Sequence, residues 1–308
     1  MKTRKIALLA VFAFLLAVCI IQGITGAISP VKTIKTDAEP DAITITKDGK
    51  TIELTKNGFG WQVGSDNYIA NKYDVEKMIK EIQEVKILDK IARLGNADND
   101  EKYSLSDSRA TFVRAFKDGK EIQSLMLGKT SPTGSQTYGS VSSKKDIYLF
   151  SGNLISTFDK TEESLRSKTV YAIEENDITG ASVDMGGKNW TLTKETGKSA
   201  KGSDSWKISG TSDFEIDSAE AKKWIQNVAF MNITSWIDDG TALPKDKLVS
   251  FNLFTNSETV SVDIFEQKNG DETKYYGTCS RTPHKFELTK TQTEKFTKNP
   301  ETLKAKAE

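Results

Sequence analysis

The side chains that could carry chemistry are few in this 308-residue chain, which holds one histidine and two cysteines. Because His284 is the sole imidazole, a site that needs two histidines is excluded, and a serine or cysteine nucleophile has one base at most. Cys279 stands five residues earlier, in a segment that reads as strand, turn, strand. We expect Cys279 to be a small buried residue and His284 to lie in a surface loop after Pro283. A cysteine–histidine dyad is therefore disfavoured.

A second candidate is the stretch Gly128-Lys129-Thr130, which matches the end of a phosphate-binding loop. The loop also needs a glycine five residues earlier, where this chain has Gln123. Pro132 follows almost at once, so no helix can begin here and present its amide groups to a phosphate. The pattern favours a β-turn between strands rather than a nucleotide site.

Two acidic stretches could be taken for cation sites, namely Asp98-Asn99-Asp100-Glu101 and Asp238-Asp239-Gly240. The first lacks the glycine and the terminal carboxylate that a calcium loop requires. We therefore interpret both as solvated loops. A pair of carboxylates for glycoside hydrolysis stays open, because their separation exists only in three dimensions. The sequence predicts no catalytic, cofactor-binding or metal-ligating residue, and no cofactor.

The charges of the chain are balanced and mixed in sign. Lysine plus arginine and aspartate plus glutamate both number 43, and three of the bases (Lys2, Arg4 and Lys5) precede an apolar N-terminal segment. A nucleic-acid-binding surface requires a clustered basic face, which this distribution does not offer. We therefore expect no nucleic-acid partner.

The apolar segment itself, Ile6–Ile24, runs for 19 residues without a charge. A helix of that length is near the lower limit for crossing about 30 Å of hydrocarbon, and its basic flank favours a cytoplasmic N-terminus. We predict a membrane anchor or signal segment at residues 1–27 and a juxtamembrane spacer at 28–40. The protein would then be a single-pass protein of the inner (cytoplasmic) membrane, with its bulk in the periplasm or outside the cell. Cleavage after the small residues 25–27 and lipidation at Cys19 remain alternatives.

Beyond the spacer, the chain repeats itself at an offset of 138 to 146 residues. Lys50–Lys56 matches Lys188–Lys194, and Tyr138-Gly139 matches Tyr276-Gly277. Solenoid repeats have periods of about 20 to 50 residues, so this long period indicates a duplicated domain. The predicted divisions are a first copy at 41–160, a connector at 161–176, a second copy at 177–298 and a polar tail at 299–308 that is expected to fray from about Lys298.

Each copy contains the same local signals. Asp48-Gly49 and Asp118-Gly119 separate alternating apolar segments, which predicts hairpins. Asn71 and Asp217 are each followed three residues later by an acid and then by an amphipathic stripe, which predicts capped helices. The fold class is α+β, with two tandem copies of a mostly antiparallel sheet covered by one long helix. Predicted strands are 42–46, 51–56, 59–63, 85–91, 111–116, 122–127, 138–141 and 147–150, then 231–237, 249–254, 260–265, 274–278 and 285–288, with a short helix near 153–158 and a polar loop at 97–107.

Tryptophans are concentrated in the second copy, which holds four of the five. Exposed, they would suit a carbohydrate or partner surface. Trp206 and Trp224 align with the apolar positions Trp61 and Met78, and Trp190 aligns with Ile52. We therefore predict that these tryptophans pack in the core.

Several stretches together resemble the bacterial family called domain of unknown function 4340. They are the N-terminal apolar segment, the strand pair Ile43–Leu54 with Gly60–Val63, the amphipathic helix after it, and Leu127–Gly134 running on to Tyr138 and Ile147–Leu149. The resemblance implies an envelope protein, often encoded beside ABC-type transporter genes of the gliding-motility kind. It implies no established catalytic residue.

From these features we expect a non-catalytic, membrane-anchored, extracytoplasmic accessory or substrate-contacting subunit of an ABC-type export complex. Its partners would be the ABC-type permease and ATPase subunits, with the membrane bound through the N-terminal helix. The alternative is a module that binds an envelope polymer such as glycan or peptidoglycan.

Overall fold

The computed structural model describes residues 14–19, 31–58, 60–141, 144–195, 205–210 and 214–305. Residues 14–19 are helical (α1). The rest of the predicted anchor or signal segment, 1–13 and 20–27, lies outside the described residues. None of the helices in these ranges has the length and apolar character needed to cross a membrane.

Twenty strands and seven helices occur in these ranges. The strands are β1 (Lys32–Lys35), β2 (Ala42–Lys47), β3 (Lys50–Asn57), β4 (Gly60–Val63), β5 (Tyr68–Ile69), β6 (Glu84–Arg93), β7 (Thr111–Lys117), β8 (Lys120–Thr130), β9 (Gln136–Val141), β10 (Asp146–Ser151), β11 (Thr169–Ala172), β12 (Ile178–Met185), β13 (Lys188–Glu195), β14 (Ser205–Gly210), β15 (Phe230–Asn232), β16 (Ser235–Trp236), β17 (Lys247–Thr255), β18 (Thr259–Asn269), β19 (Glu272–Cys279) and β20 (Thr282–Leu288). The helices after α1 are α2 (Lys72–Gln83), α3 (Ala97–Lys102), α4 (Leu154–Phe158), α5 (Glu162–Leu165), α6 (Ser218–Val228) and α7 (Lys290–Glu294).

These elements divide into two compact units. Unit 1 lies within Met1–Lys56 and Tyr73–Ser164, and unit 2 within Asn57–Lys72 and Leu165–Glu308. Both units are mostly antiparallel sheet with few helices. The predicted α+β class, rich in sheet, is confirmed at that level.

Unit 1 is built on a sheet in the order β1-β6-β10-β9-β8-β7-β2-β3, with antiparallel pairing throughout. The predicted hairpins are present. At β2–β3 the turn residues Asp48 and Gly49 have φ of 51° and 73°, and at β7–β8 Asp118 and Gly119 have 50° and 73°. Two successive residues in the left-handed region match the right-handed twist of the strands, which is why Asp-Gly suits these turns.

The core of unit 1 lies on one face of this sheet. Along β7 and β8 the buried positions alternate with partly exposed ones, as the two-residue period of a strand requires. Helix α2 buries Val75, Met78 and Ile82, which lie along one stripe of the helix. The long helix that was predicted to cover one face of the sheet is therefore present in unit 1.

Unit 2 contains a sheet in the order β14-β13-β12-β17-β18-β19-β20-β16 and a separate antiparallel pair, β11–β15. Helix α6 begins as predicted at Asp217, whose carboxylate accepts hydrogen bonds from the amides of Ala219 (2.9 Å) and Glu220 (3.3 Å). It buries Ala221, Trp224, Ile225 and Val228 in the same hydrophobic cluster as the strands of the sheet.

Trp224 connects this helix to its surroundings. Its ring centroid lies 5.0 Å from that of Trp190 on β13 and 6.1 Å from that of Phe251 on β17. Its indole N–H donates to the carbonyl oxygen of Lys295 at 2.9 Å, so the polar atom of a buried ring is satisfied. The prediction of core tryptophans is confirmed for Trp190 and Trp224, while Trp206 is half-buried against the same cluster.

Several local predictions are wrong. Residues 97–107 begin with helix α3, because the Asn96 side chain accepts from the amide of Asn99 and caps it. The strand expected at 231–237 is two short strands in different sheets, β15 and β16. The spacer and the connector contain β1 and β11, neither of which was predicted. The tail does not fray at residues 300–303, which form a 3-10 turn that buries Leu303 completely.

A close packing contact in unit 2 gives a first prediction. Gly277 lies opposite Phe286, and a Cβ atom added to it would lie 2.2 Å from Cε2 of that buried ring. We expect Gly277→Ala to lower the free energy of unfolding by roughly 1 to 3 kcal/mol, the usual cost of overpacking a core. Denaturant titration measures the loss.

Gly58→Ala is the matched control, because its added Cβ would meet nothing within 4 Å and its φ is ordinary. Equal stability of the two variants would contradict the packing argument.

Candidate functional site

The sole histidine is buried, which corrects the prediction of a surface loop. His284 lies in β20 and is 3% exposed. Along this strand residues 282, 284, 286 and 288 face inward, and Pro283 faces outward between them. The proline was interpreted as the start of a loop, but a strand accepts proline where its missing N–H is not needed.

Three partners surround the imidazole ring. Nδ1 lies 2.7 Å from Oδ2 of Asp239, and Nε2 lies 2.7 Å from the backbone carbonyl oxygen of Asp66. Tyr68 stacks on the ring with centroids 3.7 Å apart and planes inclined by 10°. Cζ of Arg166 lies 3.7 Å from the centroid of the Tyr68 ring. Because two groups cannot occupy the same face of a ring at that distance, Arg166 covers the face of Tyr68 that is turned away from His284. We call Asp66, Tyr68, Arg166, Asp239 and His284 the histidine cluster.

Short backbone interactions within unit 2 position the cluster. Strands β4 and β5 form a hairpin, with Val63 opposite Tyr68. The turn between them is closed by a hydrogen bond from the Asn67 amide to the Gly64 carbonyl (3.2 Å) and presents the Asp66 carbonyl. Arg166 is fixed beside Tyr68 because it forms an antiparallel bridge with Ala70.

Asp239 comes from the loop after β16. The amide of Ile237 donates to the carbonyl of Lys285 at 3.1 Å, which joins this loop to β20. The Lys285 ammonium group donates in turn to the carbonyl oxygens of Asp239 and Thr241. The second acidic stretch is therefore more than the solvated loop that was predicted, because Asp239 takes part in a defined network.

The hydrogen-bond partners fix what the imidazole can do. A carbonyl oxygen can only accept, so Nε2 must carry a hydrogen and donate it. Nδ1 faces a carboxylate, which also accepts. Both ring nitrogens are therefore engaged inside the cluster, and neither is directed at an external group. The ring is therefore unable to take a proton from a nucleophile without breaking the cluster.

The charges of the cluster shift two pKa values. Partial burial raises the pKa of Asp239, but hydrogen bonds from His284 and from the Lys285 amide lower it more, so the net pKa lies below the usual range. Burial and the Asp239 carboxylate raise the pKa of Tyr68, against the opposing effect of Arg166. At neutral pH the cluster thus contains an ionised Asp239 and a neutral Tyr68.

A pocket of about 430 Å³ borders the cluster, lined by Asp66, Tyr68, Arg166, Trp236, Ile237, Asp238 and Asp239. Its two aromatic side chains are held by other contacts of unit 2. Both faces of Tyr68 are covered, and Trp236 is held by an N–H bond to the Ser167 carbonyl (2.8 Å) and by edge contacts with Tyr68 and Phe286. The lining of the pocket thus combines three aspartates with Arg166 and the partly buried Trp236.

The environment of the second candidate nucleophile, Cys279, also makes its thiol unreactive. Cys279 is buried, as predicted, and burial raises the pKa of its thiol to about 11. A thiol with this pKa is protonated at neutral pH and is neither a nucleophile nor a metal ligand.

The Gly-Lys-Thr stretch and the first acidic stretch also have structural positions. Gly128 and Lys129 continue β8, and the turn follows at residues 131–134, where the Gly134 amide donates to the Ser131 carbonyl at 2.9 Å. The predicted β-turn is thus displaced towards the C-terminus. Residues 98–101 belong to α3. Among the described residues, no group of three or more His, Cys, Asp and Glu side chains is arranged to hold a metal ion.

Sequence reasoning missed most of the histidine cluster. It singled out His284 and Asp239 separately, but it gave no role to Asp66, Tyr68 or Arg166. These residues lie more than 100 positions from His284 in the chain. No local pattern joins them, and only the pairing of β5 with its neighbours brings them together.

Comparison with known proteins identifies a family. The family described as "Domain of unknown function (DUF4340)" matches residues 61–253, more than half of the chain. No curated protein matches the chain, and no solved structure does.

Removal of the imidazole of His284 is expected to destabilise the fold. His284→Ala should lower the free energy of unfolding by roughly 2 to 4 kcal/mol, because it empties a buried site and leaves the Asp66 carbonyl without its donor. Asp239→Asn is the milder control and should cost about 1 kcal/mol or less, because the Asp239 side chain is half-exposed and an amide oxygen still accepts.

The pH dependence has a defined sign. Since the pKa of Asp239 is lowered, its contribution is present above the unfolded pKa of about 3.9 and is lost as the pH falls through the folded value. Asp239→Asn should therefore cost less stability at pH 3 than at pH 7. A larger cost at pH 3, or no effect of His284→Ala, would contradict the account of the cluster.

The thiol gives a separate prediction. With Cys19 replaced by serine, Cys279 should react with a thiol reagent at pH 8 about two orders of magnitude more slowly in the folded protein than in denaturant. Spectrophotometric thiol titration measures both rates. Equal rates would mean that Cys279 is accessible and ionisable in the fold.

Proposed function

Because the chain belongs to the family described as domain of unknown function (DUF4340), we propose that it is a non-catalytic accessory or substrate-contacting subunit of an ABC-type export complex. In this proposal the chain is anchored in the cytoplasmic membrane by its N-terminal segment, and its two units lie outside. There they contact the permease, which is coupled to the ATPase, or the transported substrate.

The observation that carries the non-catalytic part is the position of His284. Both ring nitrogens are hydrogen-bonded inside a buried cluster. A histidine that acts as general base needs one nitrogen within reach of the group that it deprotonates. The raised thiol pKa of Cys279 argues in the same direction. The best candidates for nucleophilic chemistry thus have structural roles.

The proposal includes the duplication. The two sheets have corresponding strand orders, β6-β10-β9-β8-β7-β2-β3 in one and β16-β20-β19-β18-β17-β12-β13 in the other. In each copy the long helix also precedes the strand at the start of this order, with α2 before β6 and α6 before β16. The same succession of strands in two units supports descent of both from one domain, with strand pairs retained while the sequences diverged.

The anchor rests on the uncharged run Ile6–Ile24 with its basic flank. The helical residues Phe14, Leu15 and Leu16 expose from 47% to 69% of their surface, which supports an apolar environment around them rather than water. The alternative, a module that binds an envelope polymer through exposed aromatic rings, loses several candidate residues. Trp190 and Trp224 are buried, and Tyr68 is covered on both faces.

The experiment is isolation of the tagged full chain from detergent-solubilised membranes, followed by mass spectrometry of the proteins that accompany it. We expect an ABC-type permease and an ATPase in the same fraction. A matched control replaces residues 6–24 with an unrelated membrane helix and should retain both partners, since the units carry the contacts. Absence of both partners from the native chain would refute the accessory role.

A further inference from the structure

Unit 1 carries a cleft of about 770 Å³ that is separate from the histidine cluster and has no role in the function proposed above. We propose that this cleft binds a basic, amphipathic peptide segment of a partner protein. An apolar side chain of the peptide would lie on the floor of the cleft, and a lysine or arginine would reach carboxylates at its rim. The inference rests on unit 1 alone and does not depend on the accessory role.

The floor is an apolar pair on the second face of the sheet. Phe112 on β7 and Met126 on β8 are cross-strand partners. Their neighbours Val113 and Leu125 face the core and are buried, so Phe112 and Met126 must point to the opposite face, where both are half-buried. Leu105 also lines the cleft. Apolar surface in a concave site favours an apolar ligand group.

The rim is acidic. Asp98, Asp100, Glu101 and Asp107 line the cleft, and no lysine or arginine does so among the described residues. Asp100 accepts a hydrogen bond from the Gly95 amide, and Glu101 forms an ion pair with Arg109 at 2.9 Å.

The side chains of Asp98 and Asp107, in contrast, have no ionic or hydrogen-bond partner within the part of the chain that the structure describes. Two uncompensated carboxylates beside an apolar floor select a ligand that is both cationic and apolar. A metal ion alone does not fit, because it would leave the floor unused and the rim residues form no metal-binding group within that same part of the chain.

An unsatisfied hydroxyl points to a peptide. Ser106 lines the cleft, and its Oγ is buried with no hydrogen-bond partner. A buried hydroxyl without a partner is unfavourable, and rotation about χ1 can turn it towards a ligand. A peptide offers amide and carbonyl groups along its whole length, so it can satisfy this oxygen while its side chains occupy the floor and the rim.

The test measures binding of a fluorescein-labelled hexapeptide of alternating leucine and lysine to the purified full chain by fluorescence anisotropy. Asp98→Asn combined with Asp107→Asn should weaken binding about tenfold. Glu53→Gln combined with Glu163→Gln is the charge-matched control. It removes two exposed carboxylates of unit 1 that do not line the cleft, and should leave the affinity unchanged.

The floor is tested separately. A hexapeptide of alternating serine and lysine should bind at least about tenfold more weakly than the leucine peptide. Met126→Gln, which keeps the length of the side chain, should remove most of this preference. Circular dichroism checks that the variants are folded.

Three outcomes would overturn the proposal. They are no binding of the leucine–lysine peptide, equal loss in the rim and control variants, and equal binding of the two peptides. The second outcome would mean general attraction to an acidic surface. None of them bears on co-isolation with a permease and an ATPase, so failure here and failure of the accessory role are distinguishable.

Discussion

The fold of unit 2 depends on covering the apolar face of an antiparallel sheet with the single long helix α6. Trp224 is the residue through which the helix does so, since it contacts Trp190 and Phe251 on two strands and satisfies its N–H at Lys295. Large aromatic rings bury about 150 to 250 Å² each, so their burial contributes strongly to the free energy of folding. The register of the strands then follows, because a shift by one residue would turn these rings to the solvent.

The same constraint explains the histidine cluster. With Phe286 and Leu288 facing the core, the two-residue period places His284 on the inner face of β20. A buried imidazole is tolerated only where its polar atoms find partners. Asp239 and the Asp66 carbonyl supply them, and Tyr68 fills the remaining space. The cluster thus joins the β4–β5 hairpin to β20, and its residues are better explained by folding than by catalysis.

The features that the sequence could predict are those specified by neighbouring residues. Asp48-Gly49 and Asp118-Gly119 define their turns locally, and Asp217 caps the helix that follows it directly. Contacts between distant segments left no comparable signal. The short strand β1 depends on pairing with β6, and Tyr68 reaches His284 only through the tertiary fold. The loop predicted from Pro283 was wrong, because the strand around this residue overrides the preference of proline for loops.

The imidazole of His284 and the cleft of unit 1 differ in what a ligand could add to them. In the histidine cluster both ring nitrogens and the Asp239 carboxylate have hydrogen-bond partners, so the imidazole itself has little free energy to gain from a ligand. In the cleft of unit 1, Ser106 has a buried oxygen without a partner, and the apolar pair Phe112 and Met126 is only half-covered. Unsatisfied polar and apolar groups in one concavity gain free energy only when something binds there. The cleft, rather than the only histidine, is therefore where a binding function has a physical basis.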